Sequence, residues 1–317
     1  MTRELLILRH GQAEKSDPGG DAARPITDPG KRGAQRIGVW LLRHGLIPDH
    51  IVSSPAERAI ETARKTVKAM GMGAEGIVQD DRLYATGTGE LRRILAEVPR
   101  DARRVLLVGH NPGLKRLLGH LNAGGGADLP KAGLARLELP DDWSNLGAGC
   151  GRLKTLTRPK ELPEKFPFPG PDSDKLRDRP AYYYTQSAVI PYRIGAQGPE
   201  ILVIQSSKKK HWVVPKGIMD PGGSPQASAA KEAHEEAGIE GNVSERSLGS
   251  YVYEKWGAEC TCHVYAMEVT RVLPEEDWEE SHRGRIWVTP EQAAAARLKQ
   301  PELGPMVEAL ARSLGAA

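Results

Sequence analysis

Cysteine is scarce in this 317-residue chain: Cys150, Cys260 and Cys262 are the whole set. An odd and sparse set excludes a disulfide-stapled scaffold and reads as free thiols in a reducing compartment. Long apolar runs are missing too. Nothing approaches the roughly 18 uninterrupted apolar residues of a membrane helix, and the apolar start at residues 5–8 is too short and wrongly flanked for a secretion signal. A cytoplasmic protein with no membrane partner is the expectation. Charge of one sign is not in excess either. With 44 basic against 41 acidic residues the net charge is +3, too near neutral to call for a nucleic-acid duplex as partner. There is no internal repeat and no Walker-type phosphate loop. The G-x-G-x-x-G match at residues 71–76 follows a helix and opens none, so it reads as a turn.

What is present is an ordinary globular composition, 39% hydrophobic and 27% charged, at a length that suits two domains. In the first half, short apolar runs at 5–8, 51–52 and 104–108 alternate with amphipathic helical patterns at 31–43, 55–70 and 114–121. That alternation predicts an α/β layer with a doubly wound, mostly parallel sheet. Residues 158–180 carry six prolines among charges and read as an extended linker or strap. Beyond them, β-type runs at 182–193, 200–205, 212–215, 248–255, 260–270 and 285–288 surround a helix at 224–238, and another helix closes the chain near 301–314. This predicts a second, α+β domain. The boundaries are placed at 1–160, a proline-rich linker at 161–180, and 181–317.

In a doubly wound sheet, ligands sit beyond the carboxyl ends of the strands. The first strand ends in Arg9-His10-Gly11, the second leads into Ser53-Ser54-Pro55 with Arg58 in the first turn of a helix, and the third ends in Val108-Gly109-His110-Asn111-Pro112. Two arginines and two histidines converging on one crevice repel one another unless an anion fills it, and a phosphoryl group suits the arginine forks. These blocks, with Pro25-Ile26-Thr27, Gly30 and Thr62-Ala63, resemble the histidine phosphatase superfamily, in particular its SixA-like branch, over nearly all of the first 160 residues. The resemblance implies His10 as the nucleophile that forms a phosphohistidine, and Arg9, Arg58 and His110 as the clamp on the phosphoryl oxygens. Glu90 is the candidate general acid, with Asp17 and Asp21 as alternatives.

In the second half, Ser224 as N-cap, Pro225 at the first position and Gly238 just past the end define a helix. Along it Glu232, Glu235 and Glu236 fall at i, i+3 and i+4, within a sector of about 100°. Such crowding costs stability unless a hard divalent cation relieves it. Read from Gly217 to Ile239, the segment resembles the Nudix box, with two departures: Gly223 stands where the first Glu belongs and Lys231 replaces Arg. The resemblance implies an α/β/α sandwich. It also implies Gly217, Glu232, Glu235 and Glu236 as ligands of Mg²⁺ or Mn²⁺, a catalytic role for Glu232, and cleavage of a pyrophosphate bond. Both departures weaken the loop's bracing, because Lys lacks the guanidinium fork.

Lys208, Lys209, Lys210, His211 and Lys216, joined by Arg283 and Arg285, form a basic set suited to an anionic substrate; Lys210, Lys216 and Arg283 are the substrate-binding candidates. Cys260, Cys262 and His263 read as a packed strand rather than a zinc site, because no second ligand pair follows. Tyr182, Tyr183, Tyr184 and Trp287 read as strand aromatics. The chain is expected to be a two-domain phosphohydrolase acting on a nucleotide, a dinucleoside polyphosphate or a similar polyphosphate. A protein phosphohistidine phosphatase with a separate or regulatory, ligand-binding Nudix module is the alternative.

Overall fold

The computed structural model describes residues 2–294 and 298–315. The chain divides into two compact units, Met1–Pro180 and Ala181–Ala317.

In the first unit, β1 (Arg3–Arg9), α1 (Asp28–Arg43), β2 (His50–Ser53), α2 (Glu57–Ala69), β3 (Ile77–Gln79), α3 (Thr88–Ala96), β4 (Arg104–Gly109), α4 (Gly113–Leu121), β5 (Leu134–Leu139) and β6 (Arg152–Thr157) follow in order. They build one six-stranded sheet, β3-β2-β4-β1-β5-β6. The first four strands are parallel, with Leu6 opposite Leu106, and β5 and β6 add an antiparallel edge. Because side chains alternate along a strand, β1 feeds two cores. Leu5 and Ile7 meet α3 and α4 through Leu91, Leu95, Leu114 and Leu117. Leu6 and Leu8 meet α1 and α2 through Ile37, Leu41, Ala59 and Ala63. All four β1 side chains are fully buried, which is why the run is continuous rather than alternating. Helix α1 begins earlier than the periodicity predicts, since Thr27 accepts from the Gly30 N–H and Pro29 occupies the first turn.

The proline-rich segment is packed, not a free tether, and it groups with the first unit. A 3₁₀ turn at Pro159–Glu161 is followed by a two-stranded ribbon of β7 (Phe166–Pro167) and β8 (Leu176–Arg177). Phe166 is 1% exposed, and its ring lies 5.8 Å from the Arg32 guanidinium. Arg32 also donates to the carbonyls of Glu164 and Asp178, at 3.0 and 3.1 Å. Prolines remove ladder donors, but the carbonyls that remain are satisfied by a helix arginine, and that docks the segment.

The second unit holds β9 (Thr185–Gly195), β10 (Gly198–Gln205), β11 (Trp212–Val213), β12 (Lys216–Ile218), α5 (Pro225–Ala237), β13 (Ile239–Lys255), β14 (Ala258–Val272), β15 (Arg285–Val288), α6 (Pro290–Gln292) and α7 (Leu303–Ser313). The seven-stranded sheet runs β11-β10-β9-β14-β13, with β12 on β9 and β15 on β10; β9 and β14 are parallel and the remaining pairs antiparallel. Ala229, Ala233 and Ala237 seat α5 on one face against Val189, Leu202 and Met267. Leu303, Val307 and Leu310 seat α7 on the other against Ile190, Val203 and Val264. This is an α/β/α sandwich. Tyr182, Tyr183 and Tyr184 are not in a strand: they form a 3₁₀ turn before β9, held by edge contacts of Tyr183 and Tyr184 with Trp256.

Candidate functional sites

The parallel sheet delivers the first site. Arg9 closes β1, His10 follows with its N–H on the Gly109 carbonyl at 3.0 Å, Arg58 lies in the first turn of α2, and His110 follows β4. The turn after β1 is tight: a Cβ on Gly11 would stand 2.9 Å from the Gly30 carbonyl oxygen, and the Gly11 N–H donates to Thr62 Oγ1 at 2.9 Å. The two imidazoles are 5.0 Å apart, centroid to centroid. His10 Nδ1 lies 2.7 Å from the Gly11 carbonyl. A carbonyl only accepts, so Nδ1 carries the hydrogen and Nε2 keeps its lone pair. Burial, helped by the charges of Arg58 and Arg9, brings His10 down to about 4 against the pull of that carbonyl. Burial, then His10 and Arg58, bring His110 down to about 3. Both rings are therefore neutral at pH 7.

His110 Nε2 is 2.9 Å from Ser54 Oγ. Its Nδ1, together with Arg9 Nε and Arg58 Nε, is shielded from solvent and has no hydrogen-bond partner. Buried nitrogens without partners are costly, and here they belong to three of the four residues in the cluster. A cavity of about 250 Å³ opens beside them, with Asp21, Arg58, Tyr84, Thr86, His110, Asn111 and Arg116 among its walls.

Glu90 is not brought to this cluster. Its carboxylate faces Arg93 at 2.7 Å and Arg82 at 3.5 Å, because the first turn of α3 turns it towards those two cations. Asp17 caps the Gly19 N–H at 2.8 Å. Asp21 is the carboxylate that arrives: it accepts from Arg58 at 2.8 Å and from the Tyr84 hydroxyl at 2.5 Å. The Tyr84 bond, then Arg58, hold it down to about 2. Tyr84 stands edge-on to His110 at 5.4 Å. Sequence reading missed Tyr84 and the centrality of Asp21; the only signal was an acidic loop after the first strand.

The second site lies on α5. Ser224 caps the helix on the Ala227 N–H, and Gly238 ends it at φ +60°. Glu232 and Glu236 are largely buried. Burial and the neighbouring Glu236 and Glu235 carboxylates push Glu232 up to about 7. Burial also raises Glu236, against the Lys216 N–H and Arg283. Glu232 rests on β12 so closely that a Cβ on Gly217 would stand 2.0 Å from its carboxyl. Glu235 is more exposed and 3.9 Å from Lys231.

Several basic candidates take other places. Arg283 is buried and braces the site from within, donating to Glu236 at 2.6 Å, to Glu280 and to the Gln205 carbonyl; its guanidinium is engaged by these carboxylates rather than offered to a ligand. Arg285 donates to the carbonyls of Ala237, Gly238 and Leu273, at the end of α5 and beyond. Lys208, Lys209 and Lys210 lie in the exposed turn between β10 and β11, where the Lys210 N–H donates to Ser206. Lys216 does stay with the site. Its backbone N–H donates to Glu236 at 3.0 Å, while Nζ reaches the Tyr253 hydroxyl and Gln186 at 3.0 and 3.2 Å. Lys231 meets Asp220 at 3.4 Å, so Asp220 supplies a brace that Gly223 cannot. Cys260 and Cys262 are buried in β14.

Among the described residues no three His, Cys, Asp or Glu side chains gather as a finished metal cage. The donor set still fits a magnesium-like cation. Such an ion takes hard oxygens, commonly from one or two carboxylates, and completes its shell with water and substrate phosphates. Two largely buried glutamates, both raised first by burial and Glu232 also by the neighbouring carboxylates, are the environment that a cation relieves.

Comparison with known proteins agrees with both halves. Residues 184–310 match the NUDIX domain, and residues 5–103 match the histidine phosphatase superfamily, branch 1. Diphosphoinositol polyphosphate phosphohydrolase 2 of Mus musculus is 34% identical over 127 residues, which is 39% of this chain and 67% of that enzyme. A solved structure assigned as a SixA phosphohistidine phosphatase of Nakamurella multipartitia is 30% identical, covering 50% of this chain and 97% of its own, with a TM-score of 0.44. An Ap4A hydrolase of C. elegans is 23% identical over 42% of this chain and 99% of its own, with a TM-score of 0.38. The chain thus belongs to the Nudix family through its second unit and carries a histidine phosphatase domain in its first, a two-domain hydrolase of phosphate esters and anhydrides.

Proposed function

We propose that the second unit cleaves a phosphoanhydride bond in a nucleoside polyphosphate, a dinucleoside polyphosphate or a comparable polyphosphate, and that the first unit removes a terminal phosphate through a phosphohistidine. The observation that carries the reading is His10 with a free Nε2 lone pair beside Arg9, Arg58 and His110, three residues that each keep a buried nitrogen without a partner. Nε2 attacks phosphorus, the N–P bond forms, and the bond to the leaving oxygen or nitrogen breaks. Water then attacks the phosphohistidine, releasing phosphate and restoring the imidazole, while its proton passes to solvent. Arg9, Arg58 and His110 donate to the equatorial oxygens in both steps.

In the second unit, Glu232, Glu235, Glu236 and the Gly217 carbonyl would hold the cation, which when bound neutralises phosphate charge and acidifies water. Lys216 and Arg283 fix Glu236 from two sides. The substrates in the names of the similar enzymes, diphosphoinositol polyphosphate and Ap4A, define the two classes to try first. The full chain with Mg²⁺ should cleave at least one, with Glu236→Gln abolishing cleavage and His10→Ala leaving it intact. Cleavage of neither, or cleavage indifferent to Glu236→Gln, overturns the reading.

A phosphohistidine protein is the second reading for the first unit. Asp21 is the single carboxylate among the residues that wall the crevice, and it is held ionised by Tyr84 and Arg58. As an ionised carboxylate Asp21 carries no proton to give, so leaving groups that depart unaided are favoured, a phosphoanhydride or an imidazole over an alkyl alcohol. Faster turnover of a phosphohistidine carrier protein than of any nucleotide would decide for it.

A further inference from the structure

Where the proline-rich segment folds over the outer side of α1, it leaves a cavity of about 490 Å³ that shares no wall with the catalytic crevice. We propose that this cavity binds a nucleoside mono- or diphosphate, at a site separate from both catalytic centres. The volume lies in the range of small-molecule sites, about 300–1,000 Å³, and the walls carry the two chemistries that a nucleotide presents.

The first is a flat aromatic surface. Trp40, in the last turn of α1, and His44, which caps that helix, stack with centroids 4.3 Å apart, and His44 is held there by its Nδ1 on the Trp40 carbonyl at 2.8 Å. A base stacked on such a platform is held without sequence-specific contacts, because every base has a π-face. The second is positive charge. Arg36, Arg43 and Lys165 line the same cavity. Arg36 Nε is shielded from water and has no partner. The carboxylates that face these cations are distant and exposed: Glu164 is 3.7 Å from Arg36, and Asp178 is 3.7 Å from Lys165. Exposed pairs of that length are weak, so a phosphate can displace them.

Asp172 and Asp174 lie on the strap side. As carboxylates they accept from ribose hydroxyls and base amino groups. They also limit the charge the site tolerates: among the lining residues three cations against two carboxylates suit one or two phosphates and oppose an inositol polyphosphate, which has no aromatic ring to stack.

The test is photolabelling of the full chain, with His10→Ala and Glu236→Gln to prevent turnover, by 8-azido-ADP, followed by tryptic mapping. The expected adducts fall on peptides 37–43 and 166–175 and are suppressed by excess ADP but not by equal inorganic phosphate. Arg43→Gln, at an exposed side chain, lowers labelling about tenfold, the loss of one charge-assisted contact. Trp40→Ala does the same with the circular dichroism unchanged. Adducts confined to peptides bearing His10, His110 or Glu232 overturn the proposal. So does equal protection by phosphate, or labelling indifferent to Arg43→Gln.

Discussion

His10 and His110 sit where an imidazole is hard to protonate, and this shapes both chemistry and stability. Their folded values, about 4 and about 3, lie below the ordinary 6.5. The fold therefore binds fewer protons than the unfolded chain between those limits. The stability they contribute is present above pH 6.5 and lost as the pH falls towards 4 and then 3, on the order of 3–5 kcal/mol per ring. Thermal melts should show this loss, and His110→Gln should make the decline shallower; an identical profile in the variant would contradict the assignment. Asp21 and Glu90 separate in the same way. Asp21→Asn removes the anchor of Arg58 and Tyr84 and should lower phosphatase kcat/KM about tenfold or more, whereas Glu90→Gln should stay within about twofold, since Glu90 faces Arg82 and Arg93. Steady-state kinetics on an aryl phosphate measures both.

At the scale of elements, α5 shows what a local pattern can state. Its N-cap, its first-turn proline and its αL glycine are all written in neighbouring residues, and the three glutamates share a face because of helical period alone. What the period does not state is what that face meets. Gly217, on β12, is the position against which Glu232 rests, and Gly217→Ala would place a methyl at 2.0 Å from that carboxyl. The variant should lose anhydride cleavage by at least about tenfold while phosphate release by the first unit is unchanged. An active Gly217→Ala protein would show that Glu232 can work elsewhere. The strap is the opposite case: its prolines speak against regular structure, yet Phe166 and Pro167 pair with Arg177 and Leu176 in a short ribbon, Phe166 is buried and Arg32 docks the segment on α1.

For the molecule as a whole, two chemistries of opposite charge share one chain, and they should respond differently to removal of divalent ions. On the proposed reading, a chelator should abolish anhydride cleavage, by removing a cation from the α5 glutamates, and leave aryl phosphate hydrolysis at His10 intact, since that crevice is lined by arginines and histidines. Assays of both substrates with and without chelator check this; loss of both activities together would contradict it. The sequence by itself determined what is local: the strand ends carrying Arg9-His10, Arg58 and His110, the capped helix with its glutamates, and the alternation of apolar runs that fixes the layers. Local order suffices there because a strand end or a helix face positions its residues by period alone. Only the tertiary structure decided that Asp21 reaches Arg58 and Tyr84, that Arg283 turns inward to Glu236, and that Lys216 meets Tyr253. Those partners lie 37 or more residues apart, and a charged group takes the opposite charge or the hydroxyl that packing leaves within reach, a choice made by burial and chain crossing rather than by spacing along the sequence.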